Sequence, residues 1–358
     1  MEENSSSPIG LSIKEVSMMK KRSMIGLVFI LVSLMIVSSL SIFAAPKTIT
    51  IKYTEVNPST PKGNPVAEAP LYFAKKIKAY SKGRIICQPY LGGQLGGEMD
   101  NLGAIKVGTI QMMQPSVAPL ESYYYKFSIY EIPFLFDGRK HLLKFTRTPL
   151  GKKMEAEFEK KTGLKVLDYV WESDRGLFNK VKPIYSPEDM KGMKVRVMEG
   201  EIWKDTFEAF GALPVPLPYT ELYSALGSNL VVCADPPISS YKGMKFYEVA
   251  PYYTLLGHAQ CFKPVIINAK FFYSLSKADQ KLVQKAISDA AEQERNLSFS
   301  LDDYFIKYCA NVGAKINNPN RKLFKEAVEP VYTKWSNKLG KDFFNEVLKV
   351  VKETNSEE

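Results

Sequence analysis

The helical pattern that opens at Ser276-Lys-Ala-Asp279 constrains this chain more than any other segment. Serine followed three residues later by an acid resembles a capping box, with Asp in place of the usual Glu. Leu282, Val283, Ala286, Ile287, Ala290, Leu297 and Leu301 then keep helical spacing towards Cys309. A helix of roughly 30 residues is about 45 Å long at 1.5 Å per residue. That is more than the width of one small domain, so the helix is expected to run along two lobes.

The segments before it alternate between strand and helix. Thr48 to Tyr53 alternates like a strand, and a helix is predicted from Val66 to Ser81, where the spacing of Leu71, Ala74, Ile77 and Lys78 gives one apolar face. Arg84 to Gln88 and Thr109 to Met113 read as strands on either side of a helix from Glu98 to Lys106, which buries Met99, Leu102 and Ile105. The glycines between Gly92 and Gly97 lack the Lys-Ser/Thr ending of a P-loop and the spacing of a dinucleotide fingerprint, so they read as a tight connection. A helix from Pro149 to Lys161 leads to a strand from Gly163 to Val170. The polar run Glu172 to Arg175 is where the chain is expected to cross between lobes. A second series follows: a turn capped by Ser186, a strand Lys194–Val197, helices near Trp203–Phe210 and Glu221–Leu226, and a strand from Leu230 into Pro236-Pro237. Such alternation indicates an α/β fold, its sheets mostly parallel and flanked by helices.

The 358 residues suffice for two domains, and the net charge of +10 comes from scattered lysines. No basic run is interleaved with aromatics, so nucleic-acid binding is not expected. Lys20, Lys21 and Arg22 precede an apolar stretch from Met24 to Ala45 that ends in small residues, the pattern of a secretory signal. The polar residues before Met18 and Met19 do not fit such a segment, which makes either methionine a candidate start. The stretch also has the length of a membrane anchor, although Ser33, Ser38, Ser39 and Ser41 interrupt it. With either outcome the rest of the chain lies outside the cytoplasm, and a periplasmic location is expected. Cys87, Cys233, Cys261 and Cys309 are widely spaced without a CxxC pair, leaving both disulfides and buried thiols open.

In open α/β sheets ligands collect beyond the C-terminal ends of the strands. Gln114 and Ser116, Trp171, and Arg196 on the strand Lys194–Val197 are candidates on that ground. Arg196 points away from the face shared by Val195 and Val197, and its planar fork suits a carboxylate; pairing with Glu199 or Glu201 is the alternative. Catalytic chemistry has little support. There are two histidines, His141 at a solvated helix start and His258 as a packed polar residue, and no GxSxG elbow. Neither a cofactor nor a metal is expected.

In order and at matching separations, the segments Gly93-Gln-Leu-Gly96, Leu102 to Ile110, Ile132-Pro-Phe-Leu-Phe136, Ser186-Pro-Glu-Asp-Met-Lys-Gly-Met-Lys-Val-Arg196, Tyr219-Thr-Glu-Leu-Tyr-Ser-Ala-Leu226, Lys245-Phe-Tyr-Glu-Val249 and Leu275-Ser-Lys-Ala-Asp-Gln280 resemble the extracytoplasmic solute receptors of TRAP transporters. These are typified by the C4-dicarboxylate and sialic-acid binding proteins. The resemblance covers essentially the whole exported chain. It implies a two-lobed periplasmic-binding-protein clamshell with one long helix shared by both lobes, closing on a carboxylate-bearing solute and delivering it to a membrane permease. Expected boundaries are 1–45 for the extension and signal, 46–172 with 262–300 for lobe I, and 173–261 with 301–358 for lobe II. The resemblance implies that Arg196 binds the substrate carboxylate, that Arg175 is a second arginine at the ligand, and that Tyr219 packs over it. Many members carry Asp-Gly-Gln-Glu-Asn-Pro where this chain has Val232-Cys-Ala-Asp-Pro-Pro237. Pro236 replaces the asparagine that reaches the ligand, so Asp235 is expected to act as an acceptor for a hydroxyl or amine. This departure counts against C4-dicarboxylate or sialic-acid specificity. A monomer is expected, with a dimer left open. A sensor delivering its ligand to a membrane receptor is the alternative reading, and an exported enzyme a third.

Overall fold

Eleven strands form two mixed sheets, described by a computed structural model covering residues 48–59 and 64–355 together with 18, 21, 22 and 24–26. Met1–Lys47 forms a unit of its own, and its described residues are helical and exposed. The predicted signal or anchor falls on 24–45 and lies outside the described residues apart from 24–26. Among the described residues no helix is long and apolar enough to cross a membrane.

The first sheet contains β1 (Ile49–Thr54), β2 (Ile85–Tyr90), β3 (Met112–Met113), β4 (Leu164–Asp174) and β10 (Gln260–Asn268), in the order β2-β1-β3-β10-β4. β1 is parallel to β2 and β3, whereas β10 is antiparallel to both β3 and β4. In β1 the alternation is plain: Ile51 and Tyr53 are fully buried, and Lys52 between them is exposed. The second sheet contains β5 (Leu177–Asn179), β6 (Lys194–Val197), β7 (Leu213–Pro216), β8 (Cys233–Ala234), β9 (Tyr252–Thr254) and β11 (Lys315–Asn317), in the order β11-β9-β5-β8-β6-β7.

Two strand connections join the sheets. β4 runs through Trp171 and Glu172 to Asp174, and after Arg175 and Gly176 the chain enters β5 of the other sheet. The return path lies beside it: Arg175 N–H donates to Ala259 O at 3.0 Å, and Gly257 N–H to Arg175 O at 2.9 Å. Gly176 is required at this crossing, because a Cβ there would fall 2.5 Å from two carbons of the Tyr253 ring.

The helix Lys277–Asn311 makes the third connection, and its 35 residues span about 52 Å. Ser276 caps it, its hydroxyl accepting from Asp279 N–H at 3.1 Å, and Arg84 holds Asp279 in an ion pair of 2.7 Å. Val283, Ala286, Ile287 and Ala290 pack into the core beneath the first sheet, with Ile51, Phe73 and Ile77. Phe305 and Cys309, farther along, pack with Phe178, Tyr241 and Tyr253 under the second sheet. The fold is therefore a two-lobed α/β clamshell with one shared helix.

Several local expectations differ from the structure. The segment Thr109–Met113 contributes only Met112–Met113 to the sheet. Left-handed Gly108 ends the preceding helix, and Gln111 joins the sheet irregularly: its N–H donates to Lys52 O at 3.2 Å while Lys52 N–H donates to its side chain at 3.0 Å. Met99 and Leu71 are exposed, and Phe73 fills the core position instead. His141 is not solvated: its Nδ1 accepts from Asp137 N–H at 3.0 Å, and Nε2 lies 2.9 Å from Val351 O, fastening the C-terminal helix Lys341–Asn355. All four cysteines are free thiols, which settles the question left open above.

Candidate ligand-binding site

Where the crossing strands meet, the two lobes leave a narrow cleft of about 30 Å³ lined by Arg175, Arg196, Ser116, Tyr219, Glu98, Glu172, Lys263, Asn57, Ser240, Cys261 and Met198, with Pro236 and Pro237. The charged groups on this wall are shielded: Glu172 and Lys263 are 2% exposed and Arg196 is 3% exposed. A cleft between two lobes, lined by a few convergent polar and charged groups, is the usual place for a small-molecule site.

Arg196 is the third residue of β6, which lies between β7 and β8 and is therefore covered along both edges. Its Nε donates to Leu217 O at 2.9 Å, which aims the rest of the guanidinium. No carboxylate of the described residues lies within 4.0 Å of it, and Glu201, one partner foreseen for it, is taken by Lys338 at 2.6 Å. Burial pushes the Arg196 pKa down; Asp235 opposes this and Arg175 adds to it. A buried cation without a carboxylate is costly, and an anion entering the cleft removes that cost. The Tyr219 ring lies 6.0 Å from the guanidinium carbon, held by the extended Pro214–Pro218 segment that precedes it.

Arg175 is differently placed. One terminal nitrogen donates to Asp235 Oδ2 at 3.1 Å, the other contacts Met198 Sδ at 3.1 Å, and the guanidinium stacks 4.7 Å from the Trp203 ring. Asp235 is completely buried and does not line the cavity. Burial alone would raise its pKa, but Arg175, then His258 at 3.5 Å, hold the carboxyl below its usual range. The structure thus gives Asp235 the task of fixing Arg175 from behind, in place of the ligand contact expected from the sequence.

Two other candidates also sit away from the cavity. Trp171 packs against Phe299 and under Arg295, facing the long helix, because successive side chains of β4 point to opposite faces. Its neighbour Glu172 takes the cavity side. Gln114 is internal to the first lobe, accepting from Tyr53 Oη and donating to Val66 O, both at 2.6 Å. Ser116, two residues on, reaches the cavity; its N–H donates to Glu98 Oε1 at 2.8 Å.

Sequence reasoning missed Glu172, Lys263 and the residues that join the lobes around them. Asn64, from the segment after β1, donates to Glu172, and so does Ser240 Oγ, from the helix Ile238–Gly243 of the other lobe, at 3.2 Å. Cys261 Sγ lies 3.1 Å from Glu172 Oε2. Lys263 Nζ contacts Glu55 at 2.8 Å and Glu98 at 3.7 Å; burial works against its charge, but these carboxylates more than compensate and raise its pKa. A lysine inside the otherwise apolar run Phe262–Ile267 was the available signal.

Behind the site Glu131 accepts from Trp203 Nε1 at 2.6 Å, and burial, opposed by Arg175, pushes its pKa up to about 8. An acid whose pKa is raised on folding stabilises the fold below its unfolded value, and that stability is lost as pH climbs through the folded value. The window here runs from the ordinary 4.5 to about 8. Across it the contribution should fall by roughly 1 kcal/mol per pH unit. Urea midpoints measured at several pH values should show a shallower slope for Glu131→Gln than for the parent; equal slopes would refute the assignment.

A two-lobed cleft whose buried Arg196 has no carboxylate partner among the described residues agrees with what the chain matches. The family model for bacterial extracellular solute-binding protein, family 7, matches residues 56–338. A solute-binding protein of Verminephrobacter eiseniae is 28% identical over 291 residues, covering 80% of this chain and 85% of the relative. The crystal structure of a sugar acid binding protein from Advenella mimigardefordensis, in complex with galactonate, superposes with a TM-score of 0.82 at 27% identity, covering 86% of this chain and 99% of that one. A TRAP periplasmic solute binding protein from Sulfurospirillum deleyianum, with bound succinate, gives 0.79 at 28% identity, covering 84% and 99%. The arginine-lined cleft and these matches lead to one conclusion: the chain belongs to family 7 of the bacterial extracellular solute-binding proteins.

Proposed function

We propose that this protein captures a small organic carboxylate outside the cytoplasmic membrane and delivers it to the membrane permease of a TRAP-type transporter. The basic and apolar segment from Lys20 to Ala45 would direct its export. The observation that carries the reading is Arg196, buried in the interlobe cavity with Nε fixed on Leu217 and no carboxylate of the described residues paired to it. Relatives bind galactonate in one case and succinate in another, so carboxylate capture is their shared chemistry. Within this reading Arg196 holds the carboxylate, Arg175 lends a second positive charge from its Asp235 support, and Tyr219 covers the solute. Ligand binding draws an open–closed equilibrium towards the closed form.

Thermal melting with a panel of acids, and with their neutral counterparts such as galactose beside galactonate, tests the capture step. At saturation a carboxylate present at 100 times its Kd adds about 2.7 kcal/mol and raises the melting temperature. Neutral counterparts should leave it unchanged. Equal shifts for acid and neutral sugar would overturn the proposal. Uptake into proteoliposomes holding the cognate permease should depend on added receptor; uptake without it would remove the delivery role.

A further inference from the structure

We infer that Glu172, assisted by Glu98, restricts the solute to a monocarboxylate bearing several hydroxyl groups and turns away dicarboxylates. The inference rests on the proposed capture of a carboxylate by Arg196 and concerns the rest of the same cavity.

Three cations line the cavity, and two of them are already matched: Arg175 by Asp235 at 3.1 Å and Lys263 by Glu55 at 2.8 Å. Only Arg196 lacks a carboxylate among the described residues, which leaves a place for one acid group. On the acidic side Glu172 has no cation within 4.0 Å among the described residues; its oxygens accept from Asn64, Ser240 and Cys261, all neutral donors. Glu98 uses Oε1 for Ser116 and Lys263, and its Oε2 has no partner among the described residues. Both carboxylates line the cavity and are almost shut off from water, the Glu98 side chain being 11% exposed.

A second carboxylate on the solute would therefore meet two shielded carboxylates with no free cation to receive it. Neutral hydroxyls avoid that penalty, because each can donate to Glu172 or Glu98 and accept from Asn57 or Ser240. Glu172 thus takes the acceptor role that the sequence had assigned to Asp235.

Calorimetry with D-galactonate, D-glucuronate and succinate, on the parent chain, Glu172→Gln and Glu98→Gln, separates the outcomes. The parent should bind at least one of the two sugar acids about 100-fold or more tightly than succinate. Glu172→Gln should weaken the sugar acid about tenfold and tighten succinate about tenfold, and Glu98→Gln should shift the ratio the same way by less. A structural role alone would weaken all ligands together and leave the ratio unchanged, which overturns the inference. So would succinate binding as tightly as either sugar acid in the parent chain, although carboxylate capture by Arg196 would then stand. Binding of none of the three would count against both. A parent-like melting profile without ligand identifies the variants that keep the fold.

Discussion

Arg196→Ala is expected to weaken binding of the solute by about 100-fold or more while leaving the fold intact. Truncating one side of a desolvated, hydrogen-bonded charge pair costs about 2–5 kcal/mol, much of it from stranding the other charge. Here the stranded charge would be the solute carboxylate, closed into a cavity where Glu98 and Glu172 already stand. The protein itself loses only the 2.9 Å bond to Leu217 O, and it sheds a buried cation whose pKa is lowered by burial. Melting without ligand should therefore be unchanged or slightly higher. Calorimetry with whichever acid most stabilises the parent chain is the direct measurement, and unchanged affinity would remove Arg196 from its role. Arg196→Lys should recover only part of the loss, because an ammonium cannot offer the two parallel donors of a guanidinium.

Asp235→Ala should act mainly on stability. The carboxylate is completely buried and pairs with Arg175, itself 4% exposed, so its removal leaves a shielded guanidinium with no charge opposite. Breaking a buried pair from one side costs about 3–5 kcal/mol. In a chain this long that corresponds to a fall of roughly 5–10 °C in melting temperature. Adding Arg175→Met should restore most of the stability, because methionine keeps an apolar contact with Trp203 and Met198 and removes the orphaned charge. A double variant as unstable as Asp235→Ala would show that the loss comes from elsewhere. Solute affinity should remain reduced in the double variant, which separates the supporting role of Asp235 from the cavity role of Arg175.

The features legible in the sequence were those set by long-range periodicity or by one strong local rule. The shared helix follows from a hydrophobic spacing too long for one lobe, and the Ser276 cap appears where the pattern begins. Strand register places Arg196 opposite Val195 and Val197, but spacing alone favours pairing with Glu199 or Glu201, and only the family resemblance points it at a solute. Errors arose where one residue decides the face. Trp171 and Glu172 are neighbours on opposite faces of β4, and nothing in the local pattern says which side the cavity lies on. The same holds for Gln114 and Ser116, which both follow the end of β3 at Met113, the first turned into the lobe and the second to the cavity. Asp235 is expected at the solute only because Pro236 replaces the family's asparagine, and its partner Arg175, 60 residues away, leaves no trace in spacing. Lys263 and Glu98 belong to segments more than 160 positions apart, and only folding brings them to 3.7 Å.

The helix Lys277–Asn311 has one end seated in each core, so it cannot act as an idle strut when the lobes separate. Its middle passes the crossing strand at a polar station, where Ser173 Oγ reaches Asp302 at 2.6 Å and Arg139 holds Ser298 at 3.1 Å. If the lobes part while both ends stay seated, the stretch between Arg295 and Asp302 would have to bow, and it would push back like a leaf spring.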